Sequence, residues 1–528
     1  MRLAAAGLLA LVACGTTPRP LDAAGHELLR QAAHRDAWQG VAALELAGTA
    51  HVLGRDEPFR LWVTRDGRFR REVDGPLGRT EVYDGERAWL RDLSGIGREL
   101  DLGGREEAPL LAALRTGAWL DDASLVLEQR TEDRLRITRP GTPLDFELLL
   151  DERTDLPRQV IDHSGGGASV ATFSDWRPVG GVPVPFDLTI AGSGGEQTSY
   201  RVERTAALAE LPTGLFEPPP ADPGDVTFDA SVPDEVEVWR ARTGHLFVRP
   251  RLEGREVGWF LFDSGAGAMV VDRALASELE LEHLGEVLAV GVSGRELTPL
   301  VGAESFSLGP LSWDGLVLVE LDLSFVGELL GVPVSGIVGH DLFGRAVVDL
   351  RSGPRPVSPG DLDGDGEPDP APVLVGGGRV ALLDPATWQP PTDAALAPLT
   401  FEGHTPCVSA TFPTLAGPVT AWFRLDTGAN GSVTFHAPAV KRHRLLANRD
   451  VSLARFGGVG GDGSGYTGEL EWFELAGRRF ETFRCAFATT EVGTFADPYT
   501  AGNIGQELLE PFRLLFDYPG ERIGLIPR

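Results

Sequence analysis

Two aspartates stand in nearly identical surroundings in this chain of 528 residues. Asp263 lies in the phrase Phe-Leu-Phe-Asp-Ser-Gly-Ala (260–266), and Asp426 lies in Phe-Arg-Leu-Asp-Thr-Gly-Ala (423–429). Each aspartate directly follows an apolar strand, so the two copies can bring two carboxylates face to face. Paired carboxylates hold one proton between them, which lets one act as a base while the other acts as an acid. The repeated phrase therefore indicates a site for acid–base chemistry.

The sequence around the two aspartates repeats as well. Each aspartate is followed by a candidate hairpin that carries glycines, with Gly291 and Gly294 in the first copy and Gly458, Gly460 and Gly461 in the second. These hairpins begin at similar distances from their aspartates and are candidate flaps over the site.

An apolar-Gly turn that leads into a short helix comes next in each copy, at Gly339 and Gly505. The separation of these two glycines nearly matches that of the two aspartates. Each copy then closes with two strands, 347–350 with 380–383 and 514–517 with 523–526. Matched landmarks in the same order imply an internal duplication.

With these landmarks, residues 241–528 resemble the retropepsin-like and pepsin-like aspartic proteases. The resemblance implies a mainly β fold with two retropepsin-like β-barrel lobes in one chain, a pepsin-like pseudo-dimer. The first lobe spans 241–390 and the second lobe spans 391–528. The resemblance also implies a role for each matched residue. Asp263 and Asp426 would be the catalytic pair, and Ser264 and Thr427 would be the supporting hydroxyls. Gly265 and Gly428 would let the backbone approach the carboxylates, and Gly339 and Gly505 would lie in the turns beneath the pair.

The second lobe departs from the family pattern at two positions. Arg424 lies two residues before Asp426, so in an extended strand both side chains point to the same face. A guanidinium there would favour the ionised carboxylate unless it turns to solvent or pairs with an acidic neighbour. Asn503 stands in the second supporting turn where an apolar residue is usual.

The N-terminus is typical of an export signal. Arg2 precedes an apolar run from Leu3 to Ala13 that is too short to anchor the chain across a bilayer. The run ends in Leu-Val-Ala-Cys, which resembles the bacterial lipobox and implies that Cys14 carries lipid. Gly15 after the cysteine implies an outer-membrane lipoprotein that faces the periplasm or the cell surface. We assign 1–14 to the signal and 15–27 to a linker.

Residues 28–220 alternate short candidate strands with turns, as in 59–63, 146–150 and 182–186, with a helical piece around 109–114. The phrases Tyr-Asp-Gly (83–85) and Asp-Trp-Arg (175–177) resemble those of periplasmic lipoprotein-carrier-like domains. That resemblance implies an open, curved antiparallel sheet over helices, whose concave face binds acyl chains or docks a partner. A sheet that only spaces the rest of the chain from the membrane is an equal alternative. Residues 221–240 are predicted to be a linker.

Composition restricts the partners. The net charge of −29 argues against nucleic acid and against anionic membrane surfaces as electrostatic partners. We expect a monomer that meets the membrane through the lipid on Cys14. Cys407 and Cys485 form either a disulfide or two buried free thiols.

An acidic insertion at 351–378 separates the closing strands of the first lobe. Asp361, Asp363 and Asp365 alternate before Gly366, which resembles a Ca²⁺-binding loop. Pro372 occupies the position where an EF-hand has its last ligand, so Asp369 or another segment would have to complete the site. A structural Ca²⁺ site and a solvated acidic turn both fit this pattern.

The function predicted from these features is an exported, lipid-anchored aspartic peptidase. One carboxylate takes a proton from water, the water attacks the peptide carbonyl, and the second carboxyl donates to the developing oxyanion. Neither a metal nor any other cofactor is required, and the substrate is a peptide or protein. The alternative is a non-catalytic binding or scaffold lipoprotein with protease-like lobes and a lipid- or protein-docking β domain.

Overall fold

The computed structural model describes residues 19–22, 25–26, 29, 35–107, 116–131, 133–165, 168–291, 294–358, 372–392, 394–458 and 461–528. These residues form two compact units. The first contains the described residues up to Leu93 together with Gly97–Pro220, and the second contains Ser94–Ile96 together with Ala221–Arg528. Both are built mainly of β-strands, which confirms the predicted class. Cys14, the helical piece at 109–114 and the four insertion aspartates lie outside the described residues.

The first unit is one antiparallel sheet. The apolar positions alternate along its strands, and one face of the sheet packs into a core that includes Trp38, Phe59 and Phe146. The strand Gln197–Leu208 pairs with Ala43–Val52, far away in sequence. In chain order the strands are Arg19–Pro20, Ala43–Val52, Arg55–Val63, Phe69–Val73, Arg79–Tyr83, Ala88–Arg91, Gly97–Glu99, Val126–Thr131, Arg134–Thr138, Asp145–Leu150, Pro157–Asp162, Ser169–Val179, Val182–Gly192 and Gln197–Leu208, with short 3₁₀ helices at Arg35–Trp38 and Ala118–Asp121.

The first lobe of the second unit closes its sheet with one interrupted strand. Leu246–Val248 pairs with the strand that precedes Asp263, and after Pro250 the same segment pairs with Arg295–Leu308. The strands of this lobe are Val226–Phe228, Glu235–Ala241, Leu246–Val248, Arg251–Leu252, Arg255–Glu256, Trp259–Phe262, Val270–Asp272, Glu282–Val290, Arg295–Leu308, Leu311–Leu321, Val334–Val338, Val347–Arg351 and Leu374–Leu383, and its helices are Arg273–Glu278, Ser324–Leu330 and His340–Phe343.

The second lobe repeats this plan. Thr405–Thr414 pairs both with Gly417–Leu425 and with Gly461–Leu475, so the pairings close a ring. Its strands are Leu396–Pro398, Thr400–Glu402, Thr405–Thr414, Gly417–Leu425, Val433–Phe435, Val451–Gly458, Gly461–Leu475, Arg478–Ala488, Gly502–Ile504, Phe512–Asp517 and Arg522–Pro527, and its helices are Ala437–His443, Gln506–Leu509 and the 3₁₀ turn Thr494–Ala496.

The closing strands join the two lobes into one sheet. Val347–Arg351 of the first lobe pairs antiparallel with Phe512–Asp517 of the second, with Asp349 opposite Leu515. One hydrophobic core cluster also includes buried residues of both lobes, among them Phe262 and Phe423. Because the lobes share a sheet and a core, the loops that carry the two aspartates are held in a fixed relation.

Both segments that are predicted to be linkers contain β-strands. Within 221–240, Val226–Phe228 pairs with Leu311–Leu321 and Glu235–Ala241 pairs with Leu374–Leu383, so this segment belongs to the folded second unit. Within 15–27, Arg19–Pro20 already pairs with Val126–Thr131 of the first sheet. The predicted insertion 351–378 is also too long at its end, because the return strand begins at Leu374. Long-range pairing of short strands explains all three differences.

Candidate active site

Each aspartate directly follows the buried end of a strand, which fixes its position. Asp263 follows Trp259–Phe262, and Asp426 follows Gly417–Leu425. The Asp263 N–H donates to the carbonyl of Val338 at 3.0 Å, and the Asp426 N–H donates to the carbonyl of Ile504 at 3.0 Å. The two copies are therefore anchored by the same backbone hydrogen bond to the strand of the supporting turn.

The hydroxyls of Ser264 and Thr427 tie the two loops together across the lobes. The Ser264 hydroxyl donates to the carbonyl of Leu425 at 2.8 Å and accepts the Thr427 N–H at 3.2 Å. The Thr427 hydroxyl donates to the carbonyl of Phe262 at 2.9 Å and accepts the Ser264 N–H at 2.9 Å. Both residues are completely buried, so water cannot hydrogen-bond to their polar groups, and the crossing bonds satisfy those groups instead.

This crossed arrangement brings the two carboxyl groups within hydrogen-bonding reach of each other. Asp263 Oδ1 accepts the N–H of Gly265 at 2.7 Å and the N–H of Gly428, from the other lobe, at 3.0 Å. The predicted pair therefore meets at the lobe boundary, with backbone donors aimed at one oxygen of Asp263.

The glycines after each aspartate are required by close approach. A Cβ on Gly265 would lie 2.6 Å from Cγ of Asp426, and a Cβ on Gly428 would overlap Cγ of Asp263. Each glycine thus makes room for the aspartate of the opposite lobe, which no residue with a side chain could do without displacing it.

The environment favours a shared proton. Burial raises the pKa of Asp263 well above its ordinary value, and the neighbouring charge of Asp426 raises it further. Burial also raises the pKa of Asp426, although a hydrogen bond from Asn503 opposes this. Two buried carboxyls with raised pKa values retain one proton between them at a pH where free aspartates are ionised.

The turns at Gly339 and Gly505 pass close to the loops that follow the two aspartates. A Cβ on Gly339 would overlap the carbonyls of Ala266 and Ala268, and a Cβ on Gly505 would lie 2.5 Å from the carbonyl of Gly431. Both turns pass so close to the loops that only glycine fits.

Asn503 contacts the second aspartate in a way that the sequence does not predict. Its Nδ2 donates to Asp426 Oδ2 at 2.9 Å, and its Oδ1 lies 2.8 Å from Nε2 of His436. Arg424 pairs with an acidic neighbour, because its guanidinium binds the carboxylate of Asp497 at 2.9 Å, and its charge still opposes the rise in the pKa of Asp426. The sequence marks Asn503 only as an unusual residue in the turn, because its contact depends on the strand register, which spacing along the chain does not give.

The predicted flaps form hairpins. Glu282–Val290 pairs with Arg295–Leu308, and the carbonyl of Gly291 near the tip accepts the N–H of Thr494 from the second lobe at 3.0 Å. The N–H of Gly291 donates to the carbonyl of Gly294 at 3.0 Å.

In the second lobe, Gly458 pairs with Gly461 at the end of the hairpin, and Gly460 lies outside the described residues. The glycines therefore mark the hairpin tips in both lobes.

Cys407 and Cys485 lie in strands of the second lobe, and Cys407 is opposite Arg424 in the sheet. Cys407 and Cys485 are buried free thiols, which settles the choice between thiols and a disulfide. Within the part of the chain that the structure describes, no group of three or more His, Cys, Asp or Glu residues is placed to bind a metal ion. The same residues include no helix with the length and apolar character that crossing a membrane requires.

Comparison with known proteins gives one family-model match and several similar solved structures. The aspartyl protease family model matches residues 248–342, which include Asp263 and Gly339. A retropepsin-like aspartic protease from Rickettsia conorii is 15% identical, over 30% of this chain and 96% of its own, with a TM-score of 0.19.

Two further solved structures are similar at a comparable level. A LolA superfamily protein from Nitrosomonas europaea is 12% identical, over 36% of this chain and 96% of its own, with a TM-score of 0.27. A DUF1329 family protein from Desulfovibrio piger is 11% identical, over 37% and 96% respectively, with a TM-score of 0.27. No curated protein sequence matches the chain. The family-model match alone identifies an aspartyl protease-like region at 248–342.

Proposed function

We propose that residues 241–528 form an aspartic peptidase that hydrolyses peptide bonds with the Asp263–Asp426 pair. The observation that carries this proposal is the buried carboxyl pair at the lobe boundary, in which Asp263 accepts backbone N–H groups from both lobes. The raised pKa values of both groups support a pair that holds one proton in the working state. The aspartyl protease family match at 248–342 supports the same reaction class.

The proposed reaction needs only proton transfers and the addition of water. The ionised aspartate removes a proton from a water held between the carboxyls, and that water attacks the scissile carbonyl carbon. The protonated aspartate donates its proton to the carbonyl oxygen as the tetrahedral intermediate forms. Collapse of the intermediate breaks the C–N bond, and a proton passes from the dyad to the leaving amine.

The crossed hydroxyls explain why two lobes are needed. Ser264 and Thr427 each bond to the other lobe through both a donor and an acceptor. These four bonds hold the two loops in register and do not involve the carboxyl oxygens. Preorganised geometry of this kind lowers the barrier because little reorganisation is needed when charge develops.

A peptide-library cleavage assay across a range of pH tests the proposal directly. We expect cleavage by the wild type, and inhibition by a peptide mimic that places a tetrahedral hydroxyl between the two carboxyls. Cleavage that the mimic leaves unchanged would assign the activity to another site. A complete lack of cleavage at every pH would favour a non-catalytic binding cleft.

We further propose that the chain is exported and anchored through lipid on Cys14, and that Asp361, Asp363, Asp365 and Asp369 bind a structural Ca²⁺. Both proposals rest on sequence patterns. The chemistry proposed for the dyad depends on neither of them.

The first unit has a separate candidate function, which an apolar pocket favours. The pocket is lined mainly by apolar side chains, which include Leu44, Phe59 and Leu61. A pocket of this kind suits an acyl chain or another apolar ligand. A fluorescent fatty acid should bind the full chain and lose affinity when Leu61→Trp fills the pocket, whereas the exposed substitution Val126→Trp should have no effect. Equal affinity for all three proteins would reject the pocket as the binding site.

A further inference from the structure

The first flap contacts the second lobe near its tip. This flap is the hairpin in which Glu282–Val290 pairs with Arg295–Leu308. The carbonyl of Gly291, one residue further toward the tip, accepts the N–H of Thr494 at 3.0 Å and the hydroxyl of Thr494 at 3.3 Å. One carbonyl of the flap therefore receives both hydrogen-bond donors of a residue in the other lobe.

Packing fixes the base of this flap more firmly than its end. Thr298 and Leu300, which lie further from the tip, are buried. Val290 and Leu297, which lie on the two strands near the tip, are 49% and 50% exposed. A segment with few buried contacts opens locally at a low cost in free energy. The contact with Thr494 is therefore what holds the end of the flap in one position.

Thr494 itself is firmly anchored in the second lobe. It is the first residue of a 3₁₀ turn, so its N–H has no acceptor inside the turn and is available to the flap. Its carbonyl accepts the N–H of Asp497 at 3.3 Å, and the carboxylate of Asp497 binds the guanidinium of Arg424 at 2.9 Å. Arg424 lies in the strand that directly precedes Asp426. The turn is therefore tied to the strand that positions the second aspartate.

We propose that Thr494 latches the first flap to the second lobe in the ligand-free protein, and that a peptide must open this latch to reach the dyad. The second half of the inference rests on the proposed peptidase function. Ser264 and Thr427 join the lobes at the aspartate loops, and Gly291 with Thr494 joins them again at the flap. The interior of a peptide has no free end to thread, so it enters between two such joints only when one of them opens. The latch is the joint that opens, because its hydroxyl bond is only partly buried, whereas the crossed hydroxyls are completely buried.

The latch lowers the affinity for peptides. Two neutral hydrogen bonds are enough to favour the latched form over the open form by about tenfold, and the apparent affinity for a peptide that binds only the open form falls by the same factor. In the complex the flap rests on the peptide and no longer on Thr494. Removing the latch should therefore lower KM by about tenfold and leave kcat unchanged. A contact that only supports the fold would not improve binding when it is removed.

Three substitutions separate the two donors of Thr494. Thr494→Pro removes the N–H and the hydroxyl together. Proline suits the first position of a helical turn, and Gly493 before it has a ψ of −167°, an extended conformation that a residue preceding proline adopts readily. Thr494→Val removes only the hydroxyl and should lower KM by a smaller factor, whereas Thr494→Ser keeps both donors and should match the wild type. Melting temperatures identify any variant that has lost its fold, and Thr494→Val decides the test if Thr494→Pro is such a variant.

A distance measurement tests the latch without requiring activity. Spin labels on Val290→Cys in the flap and on Arg442→Cys at the surface of the second lobe report their separation in the ligand-free full chain by double electron–electron resonance. Cys14→Ser prevents a third label, and the two remaining cysteines are buried. We expect a narrow distance distribution with Thr494 or Thr494→Ser, and a broader distribution that extends to longer distances with Thr494→Pro.

KM and kcat are measured with the library peptide that the wild type cleaves fastest. Equal distance distributions in folded Thr494→Pro and the wild type overturn the latch. A longer distance with an unchanged KM overturns the requirement that a peptide open it. If the distance lengthens but the wild type cleaves no peptide, the latch stands and the peptidase function fails. If peptides are cleaved while the distances stay equal, the latch fails and the peptidase function stands.

Discussion

The close approach of Gly265 to Asp426 gives the sharpest prediction. A Cβ on Gly265 would lie 2.6 Å from Cγ of Asp426, whereas carbon atoms in ordinary contact are separated by about 3.5–4.0 Å. Asp426 would have to withdraw by about 1 Å in Gly265→Ala, which breaks its alignment with Asp263. Misplacement by 1 Å costs about 100-fold in rate, or about 2.7 kcal/mol of barrier. We therefore expect kcat to fall by about 100-fold in a protein that still folds.

Neighbouring glycines provide matched controls. A Cβ on Gly267 would meet its nearest neighbour, Cβ of His404, at 3.5 Å, so Gly267→Ala should keep nearly full activity. Gly428→Ala should behave like Gly265→Ala, while Gly431→Ala should be harmless because no heavy atom lies within 4 Å of its added Cβ. Initial rates of peptide cleavage and melting temperatures provide the measurement. Activity within a few-fold of wild type in folded Gly265→Ala would refute the geometry on which the proposed dyad depends.

Three further predictions concern stability and location. Ser264→Ala and Thr427→Val should each lower the free energy of unfolding, measured in urea, by about 1–3 kcal/mol. The double variant should lose less than the sum of the two, because both residues take part in the same crossed bonds. Strictly additive losses would contradict this sharing. Burial lowers the pKa of His245 to about 4, so the unfolded chain, in which histidine titrates near 6.5, binds more protons between these values. The stability that His245 contributes is therefore lost as the pH falls through that window. In urea unfolding, the wild type should lose about 2 kcal/mol more free energy of unfolding than His245→Phe between pH 7 and pH 5. Equal losses would show that His245 is not buried as a neutral group. Radioactive fatty acid should label the wild type but not Cys14→Ser, and label on the variant would exclude lipidation at this residue.

The main features of the site could be predicted because they are encoded locally. An aspartate after an apolar strand, followed by a small hydroxyl residue and a glycine, specifies the loop, and its repetition predicts that two such loops meet. Ser264 and Thr427 indeed cross between the loops, and Gly265 and Gly428 face the opposite aspartates. The matched turns at Gly339 and Gly505 follow from the same repetition.

The features that sequence reasoning missed depend on long-range register. Asn503 reaches His436 because Val433–Phe435 pairs antiparallel with Gly502–Ile504, a register that spacing along the chain does not give. In the same way, Val226–Phe228 and Glu235–Ala241 become strands by pairing with distant partners, although their segment resembles a linker. Short strands of this kind show little alternation of apolar and polar residues, so their sequence predicts a connecting loop where the structure has a strand.

The most direct test of the proposed dyad compares Asp263→Asn, Asp426→Asn and the double variant in peptide cleavage. Asn is nearly isosteric with Asp, so all three proteins should fold with melting temperatures close to that of the wild type. Residues that act as one unit are not additive, so each single substitution should abolish cleavage and the double variant should be little worse. The wild type should show a bell-shaped pH profile whose limbs belong to the pair. A folded single variant that retains near-wild-type activity would contradict catalysis by a shared pair.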